Sequence, residues 1–164
     1  GELDCGFIFG PCDKAEVRAI KLADIPTRVV APVAFAPDVL GQNVEALAHL
    51  PWIYTSATCP FNRLSEQLFA ESEQKPEKVA WVDTEEAVQA LVRAGAGMSI
   101  LRQKDAERLA AMGELCQWQG SVPDIELHFV CTAKRFQEPP IQAFARCVED
   151  DWGITHSYEQ SEAG

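Results

Sequence analysis

The sequence predicts an α/β chain in which short strands alternate with helices, layered with mostly parallel pairing. Three observations carry this. Compact apolar runs of strand length recur along the chain, for example at 3–9, 51–57, 78–82 and 124–133. Between them lie longer segments with apolar residues at helical spacing. Turn residues such as Gly10-Pro11, Lys75-Pro76 and the Gly95/Gly97 pair separate the two kinds of segment.

In chain order, Leu3 to Phe9 is a buried strand leading into the Gly10-Pro11 loop, and a short helix is expected around Lys14 to Lys21. Thr27 to Phe35, rich in Val and Ala with Pro32 inside it, is an extended segment that bends, as a crossover between lobes would. Asn43 to Leu50 is a short helix and Pro51 to Ala57 a strand. Phe61, Leu64, Leu68 and Phe69 form an apolar helical stripe that ends by Lys75-Pro76. Lys78 to Val82 is a strand. Asp83, with Glu86 three residues on, has the signature of a helix N-cap in front of Ala87, Val88, Leu91 and Ala94. Met98 to Leu101 is a strand, Asp105 to Met112 a helix, Leu115 to Gln119 a strand and Asp124 to Ala133 the longest strand-like run. A last helix places Ile141, Phe144, Ala145, Val148 and Trp152 on one face.

Composition bounds the function. With 47% hydrophobic and 24% charged residues over 164 positions, the chain has the balance of an ordinary folded domain, and no apolar run has transmembrane length. A net charge of -11 repels phosphate backbones, so the chain alone is not expected to bind DNA. The six cysteines are spread through apolar segments without Cys-x-x-Cys spacing and read as free thiols. With no basic leader at the N-terminus, a cytoplasmic setting is expected. His49, His128 and His156 have no zinc-type spacing, so no metal or other cofactor is assigned. No Gly-x-Ser-x-Gly elbow, His-Glu-x-x-His helix or phosphate loop is present, and the chain is not expected to be an enzyme. Gly95-Ala96-Gly97 follows a helix and precedes a strand, the reverse of a dinucleotide loop, and reads as a helix C-cap. Glu66, Glu71, Glu73, Glu85, Glu86 and Glu107 are placed on solvated helix faces.

Several segments, in order, resemble the effector-binding domain of LysR-type transcriptional regulators. GELDCGF is similar to the family's first-lobe strand, and RVVAPVAFAP to its first crossover. VDTEEAVQALVRAGAGMSIL resembles its helix-glycine-strand segment, the most specific of these motifs, and DIELHFVCTAKRFQEPPIQAFARCV its return strand and closing helix. The resemblance implies two Rossmann-like lobes of the type II periplasmic-binding-protein kind, here a partial first lobe at 1–33 and 122–152, a second lobe at 34–121 and a tail at 153–164. It also implies that the first lobe lacks its opening strand, helix and strand, and that DNA is read only by a helix-turn-helix absent from these residues. Two local departures stand out, Arg102 where a Pro is common and Ala36-Pro37 where His-Pro is common.

Candidate binding residues follow. Ser56, Ala57 and Thr58 join a strand to a helix start, where Ser56 or Thr58 can cap while backbone N–H groups point outward as an anion site. Asp83 and Thr84 begin a second such helix, and Gly10 and Pro11 follow the first-lobe strand. The resemblance places all seven at an interlobe cleft and implies a small effector, a carboxylate or other anion, sensed allosterically and passed on through self-association. Two other readings stand beside it: a solute-binding protein of the same fold, and a thiol-dependent enzyme using Cys59, whose helix-start position favours thiolate.

Overall fold

The computed structural model describes residues 4–154. In chain order the elements are β1 (Cys5–Phe9), β2 (Val17–Ile25), β3 (Thr27–Ala31), α1 (Ala36–Val39), α2 (Val44–Leu47), β4 (Trp52–Thr55), α3 (Pro60–Leu68) and β5 (Lys78–Val82). They continue with α4 (Glu85–Arg93), β6 (Ser99–Arg102), α5 (Gln103–Ala111), β7 (Cys116–Gln117), β8 (Ile125–Thr132) and α6 (Pro139–Asp151). None of these helices is long and apolar enough to cross a membrane.

The chain divides into two compact units, one built from residues up to Asp24 and from Glu126 on, the other from Ile25–Ile125. The breaks therefore fall at 24/25 and 125/126 where 33/34 and 121/122 were expected. The physical reason is β3, which hydrogen-bonds to β6 and β7 and so belongs with the second unit.

The first unit is a three-stranded sheet in the order β1-β8-β2, packed on α6. Its core is Ile20 and Leu22 from β2, Phe129 and Cys131 from β8, Phe136, and Ile141, Ala145 and Val148 from α6. The helix expected around Lys14 to Lys21 is instead β2, the longest strand at nine residues. Its buried residues, Ile20 and Leu22, alternate with exposed Ala19 and Lys21, the period of two that a half-buried strand requires. On α6 the expected stripe is redrawn: Phe144 and Trp152 are exposed, while Glu149 is fully buried.

In the second unit β3 lies between β6 and β7, antiparallel to both, and β4 pairs with β5 in parallel. A parallel bridge between Trp52 and Met98 continues β4 toward β6. The expectation of mostly parallel pairing is thus corrected, since β1 with β8, β3 with β6 and β3 with β7 are all antiparallel. Alternation of strands and helices reports the period of each segment and not its direction. Here β3 brings the chain into the unit and β7 precedes its exit, so the two run in opposite senses. The parallel pairing of this unit lies in the βαβ unit of β4, α3 and β5 and in the bridge from Trp52 to Met98.

The bend expected at Pro32 is where β3 stops and a 3-10 turn, Val33–Phe35, begins. α3 ends at Leu68, before Lys75-Pro76, and the Lys75 ammonium turns back to donate to the carbonyls of Phe69 and Ala70. α4 buries Val88 and Val92 on one stripe against Ile53 of β4 and Leu101 of β6, each worth about 1.5–3 kcal/mol of transfer free energy. It ends as the glycines foretold. Gly95, at φ +87, lets its own N–H reach Val92 O and the Ala96 N–H reach Leu91 O, a Schellman cap.

Candidate functional site

The parallel pair of β4 and β5 sets Thr55 beside Val82 at the carboxyl ends of the strands. The loop Ser56 to Thr58 leaves β4 there, and Asp83 and Thr84 leave β5 at the same end. Five of the seven sequence-derived candidates are therefore grouped by one register, at the end of a parallel sheet where α/β folds bind ligands. Gly10 and Pro11 lie in the first unit. Gly10 is buried at φ 81 and its N–H donates to Glu126 O at 2.7 Å, so it closes the β1/β8 ladder, while Pro11 is exposed.

The capping expectations need two corrections. α3 is capped by neither Ser56 nor Thr58: Cys59 occupies the cap position without a side-chain bond, and Pro60 takes the first helical position. The reason is the turn before it, in which the Cys59 N–H donates to Ser56 O at 2.8 Å and the two hydroxyls lie 3.4 Å from each other. The Ala57 and Thr58 N–H groups donate to no other group among the described residues. On α4 the cap is Thr84, whose hydroxyl accepts from the Ala87 N–H at 3.2 Å; Asp83 stands one residue too early.

Two buried atoms flank the loop without a hydrogen-bond partner, Thr55 Oγ1 before it and Asn62 Oδ1 after it. Asn62 is 2% exposed, and its Nδ2 donates to Glu66 Oε1 at 3.1 Å. The sequence reading passed over both. The signal was present in Pro60, which fixes the helix start and makes Asn62 the third helical residue, on the first turn. Behind the loop Tyr54 is buried, and its hydroxyl is pushed up first by that burial and then by the charge of Glu66.

A second cluster, also missed, follows from Arg102 standing where a Pro is common. Its guanidinium donates to Glu85 Oε1 from Nε at 3.3 Å and pairs with Asp105 at 3.0 Å. Glu85 is therefore not on a solvated face. Burial pushes its carboxyl up, and Arg102 only partly pulls it back. A groove of about 350 Å³ runs past Ile25, Pro26, Arg102, Lys104 and Glu107, but its arginine is already neutralised by two carboxylates and offers little to an anion. Because the folded state holds the Glu85 proton more tightly than the unfolded chain, the stability this group contributes is full below the usual carboxylate value. It is lost as pH rises through the raised one. Glu85→Gln is expected to flatten that fall in urea titrations from acid to neutral pH. The effect should stay under about 1 kcal/mol, since solvent screens the pair; an unchanged pH slope would refute it.

The comparison with protein families now decides the class: residues 1–153 match the LysR substrate binding domain. The chain belongs to that family. Among curated proteins no relative matches by sequence. Solved structures do. The effector binding domain of QuiR in complex with shikimate is 18% identical with a TM-score of 0.74, the match covering 92% of this chain and 72% of that one. The bromide-bound regulatory domain of HypT from Salmonella typhimurium is 16% identical at 0.72, covering 92% and 72%. Full-length CbnR complexed with its target DNA is 15% identical at 0.68, covering 92% of this chain and 53% of that one. At these identities the likeness is one of fold. This LysR substrate binding domain is accordingly of the two-lobed, periplasmic-binding-protein-like α/β kind.

Proposed function

We propose that this LysR substrate binding domain senses a small anionic effector, a carboxylate in the first instance, at the carboxyl ends of β4 and β5. We further propose that it passes the binding event to the oligomer geometry of a larger regulator, without turnover. The observation that carries the reading is the pair of undonated N–H groups of Ala57 and Thr58 beside the start of α3. They carry two hydroxyls next to them, and no side chain caps the helix. Partial positive charge and free donors at a helix start favour anions. The ligands of two neighbours in fold, shikimate, a carboxylate, and bromide, an anion, agree with that chemistry. Asp83 sits across the parallel pair, where it disfavours a second negative group and selects for a ligand with one acidic end. DNA contact belongs, in this reading, to another part of the intact regulator, since a net charge of -11 opposes it here.

Calorimetric titration with a panel of small carboxylates and halides, shikimate and bromide among them, tests the site. The double variant Ser56→Ala/Thr58→Ala is expected to weaken the best-bound anion by roughly tenfold or more, the worth of a charge-assisted hydrogen bond, with an unchanged melting profile. Equal affinity in the double variant, or no binding of any panel member by the parent protein, would remove this loop from consideration. Persistence of binding after blocking of the accessible thiols separates a sensor from an enzyme working through Cys59.

A further inference from the structure

The first unit carries two cysteines at one register position: Cys5 of β1 stands opposite Cys131 of β8. Whether two such side chains can meet depends on which kind of antiparallel pair they occupy. The bond from the Gly10 N–H to Glu126 O extends the same register by one residue and makes Gly10 and Glu126 a hydrogen-bonded pair. Hydrogen-bonded and non-hydrogen-bonded pairs alternate along the ladder. Counting back, Ile8 with His128 and Gly6 with Val130 are hydrogen-bonded, and Cys5 with Cys131 is not. A non-hydrogen-bonded pair holds its Cα atoms about 4.5 Å apart with the side chains on one face and close together. That lies within the span of about 4.4–6.8 Å that a disulfide bridges.

Both thiols are free. Cys131 is 4% exposed inside the core of the unit, and Cys5, half-buried, packs against that same core. Cys131 is pushed up by burial first and then by the charge of Cys5, with Arg18 acting the other way, so the two sulfurs sense one another. A buried cysteine is ordinarily a small hydrophobe. Two of them at one non-hydrogen-bonded position, one reachable and one not, make a different arrangement.

We propose that Cys5 and Cys131 form a redox-active dithiol whose oxidant is a low-molecular-weight disulfide. The Cys5 thiolate attacks one sulfur of the oxidant, whose sulfur–sulfur bond breaks; one thiolate leaves and takes up a proton, and Cys5 carries the mixed disulfide. Cys131 releases its proton to solvent and attacks the Cys5 sulfur, forming the internal bond and expelling the second thiolate, which is protonated in turn. Two protein thiols are oxidised, and one disulfide is reduced to two small thiols. The order follows exposure, because Cys131 cannot be reached first. The bond ties the stretch before Asp24 to the stretch after Glu126, the two separate pieces of chain from which this unit is built.

The test is exposure of the full chain to glutathione disulfide, alkylation of remaining thiols, digestion without reductant and mass spectrometry. The expected product joins the Cys5 peptide to the Cys131 peptide, lighter by two hydrogens, reversed by dithiothreitol, and at least about tenfold more abundant than a glutathione adduct on Cys5. Cys131→Ser should trap that adduct on Cys5. Cys5→Ser, which leaves the core thiol in place and so does not depend on the tolerance of that site, should leave Cys131 unmodified. A stable adduct on Cys5 of the parent protein beside a free Cys131, or modification of Cys131 in Cys5→Ser at the parental rate, would overturn the proposal.

Discussion

Replacing Trp52 by Ala is expected to lower the stability of the Ile25–Ile125 unit by about 3–5 kcal/mol, the cost of emptying a large aromatic site in a core. Trp52 is wholly buried at the start of β4. Its ring meets Phe69 edge-on, with centroids 4.9 Å apart, and its indole N–H donates to Ser65 Oγ at 3.3 Å. That hydroxyl in turn reaches Phe61 O at 3.2 Å, so the ring holds α3 against β4 by packing and by a short polar chain. Removing it takes away the contact that fixes the helix at whose start the anion site is proposed. Urea denaturation followed by circular dichroism gives the size of the loss, and native-state hydrogen exchange its place. Protection should fall first in β4, β6 and α3, with β8 in the other unit retaining its own. A loss below about 1 kcal/mol would mean that Phe69 and its neighbours collapse into the gap, against the packing described.

What the sequence disclosed followed from periodicity and punctuation. The stripes of α3 and α4, the glycine stop at Gly95 and the bend at Pro32 are local chemistry, readable without neighbours. Failures came where a neighbour decides. Lys14 to Lys21 holds enough helix formers to read as a helix, yet Ile20 and Leu22 find β8 and α6 to pack on, and that burial outweighs propensity. Strand direction depends on where the chain enters and leaves each unit, which no window of residues reports. In the site, Ser56 to Thr58 was visible as a strand-to-helix loop. That Thr58 would face Ser56 and not cap was invisible, because it turns on the bond from the Cys59 N–H to Ser56 O. The matching of Cys5 with Cys131 was equally hidden, since register across 126 positions is a property of the whole fold.

The glycine pair after α4 separates two physical roles that a motif merges, and mutation should split them. Gly95 is needed for its backbone: at φ +87 a side chain is strained, but a Cβ there would meet no atom within 4 Å. Gly97 is needed for space. A Cβ there would lie 2.7 Å from Pro51 O and 3.0 Å from Pro51 C, and both are backbone atoms that no side-chain rotation can clear. That same Pro51 oxygen accepts the Met98 N–H at 2.8 Å, and Met98 O accepts from Ile53 at 2.8 Å, the two bonds that continue β4 toward β6. Gly95→Ala is therefore expected to cost about 1–2 kcal/mol, the price of a left-handed residue. Gly97→Ala should cost more, at or above the upper end of the about 1–3 kcal/mol typical of overpacking. It should also act at a distance. Pushing residues 97–98 away from Pro51 shifts the start of β4, and with it the loop at the strand's far end, so anion affinity should fall in Gly97→Ala and hold in Gly95→Ala. Paired urea titrations and calorimetry on the two variants decide the matter, and equal stability losses with equal affinities would show that the close approach at Gly97 does not position the site.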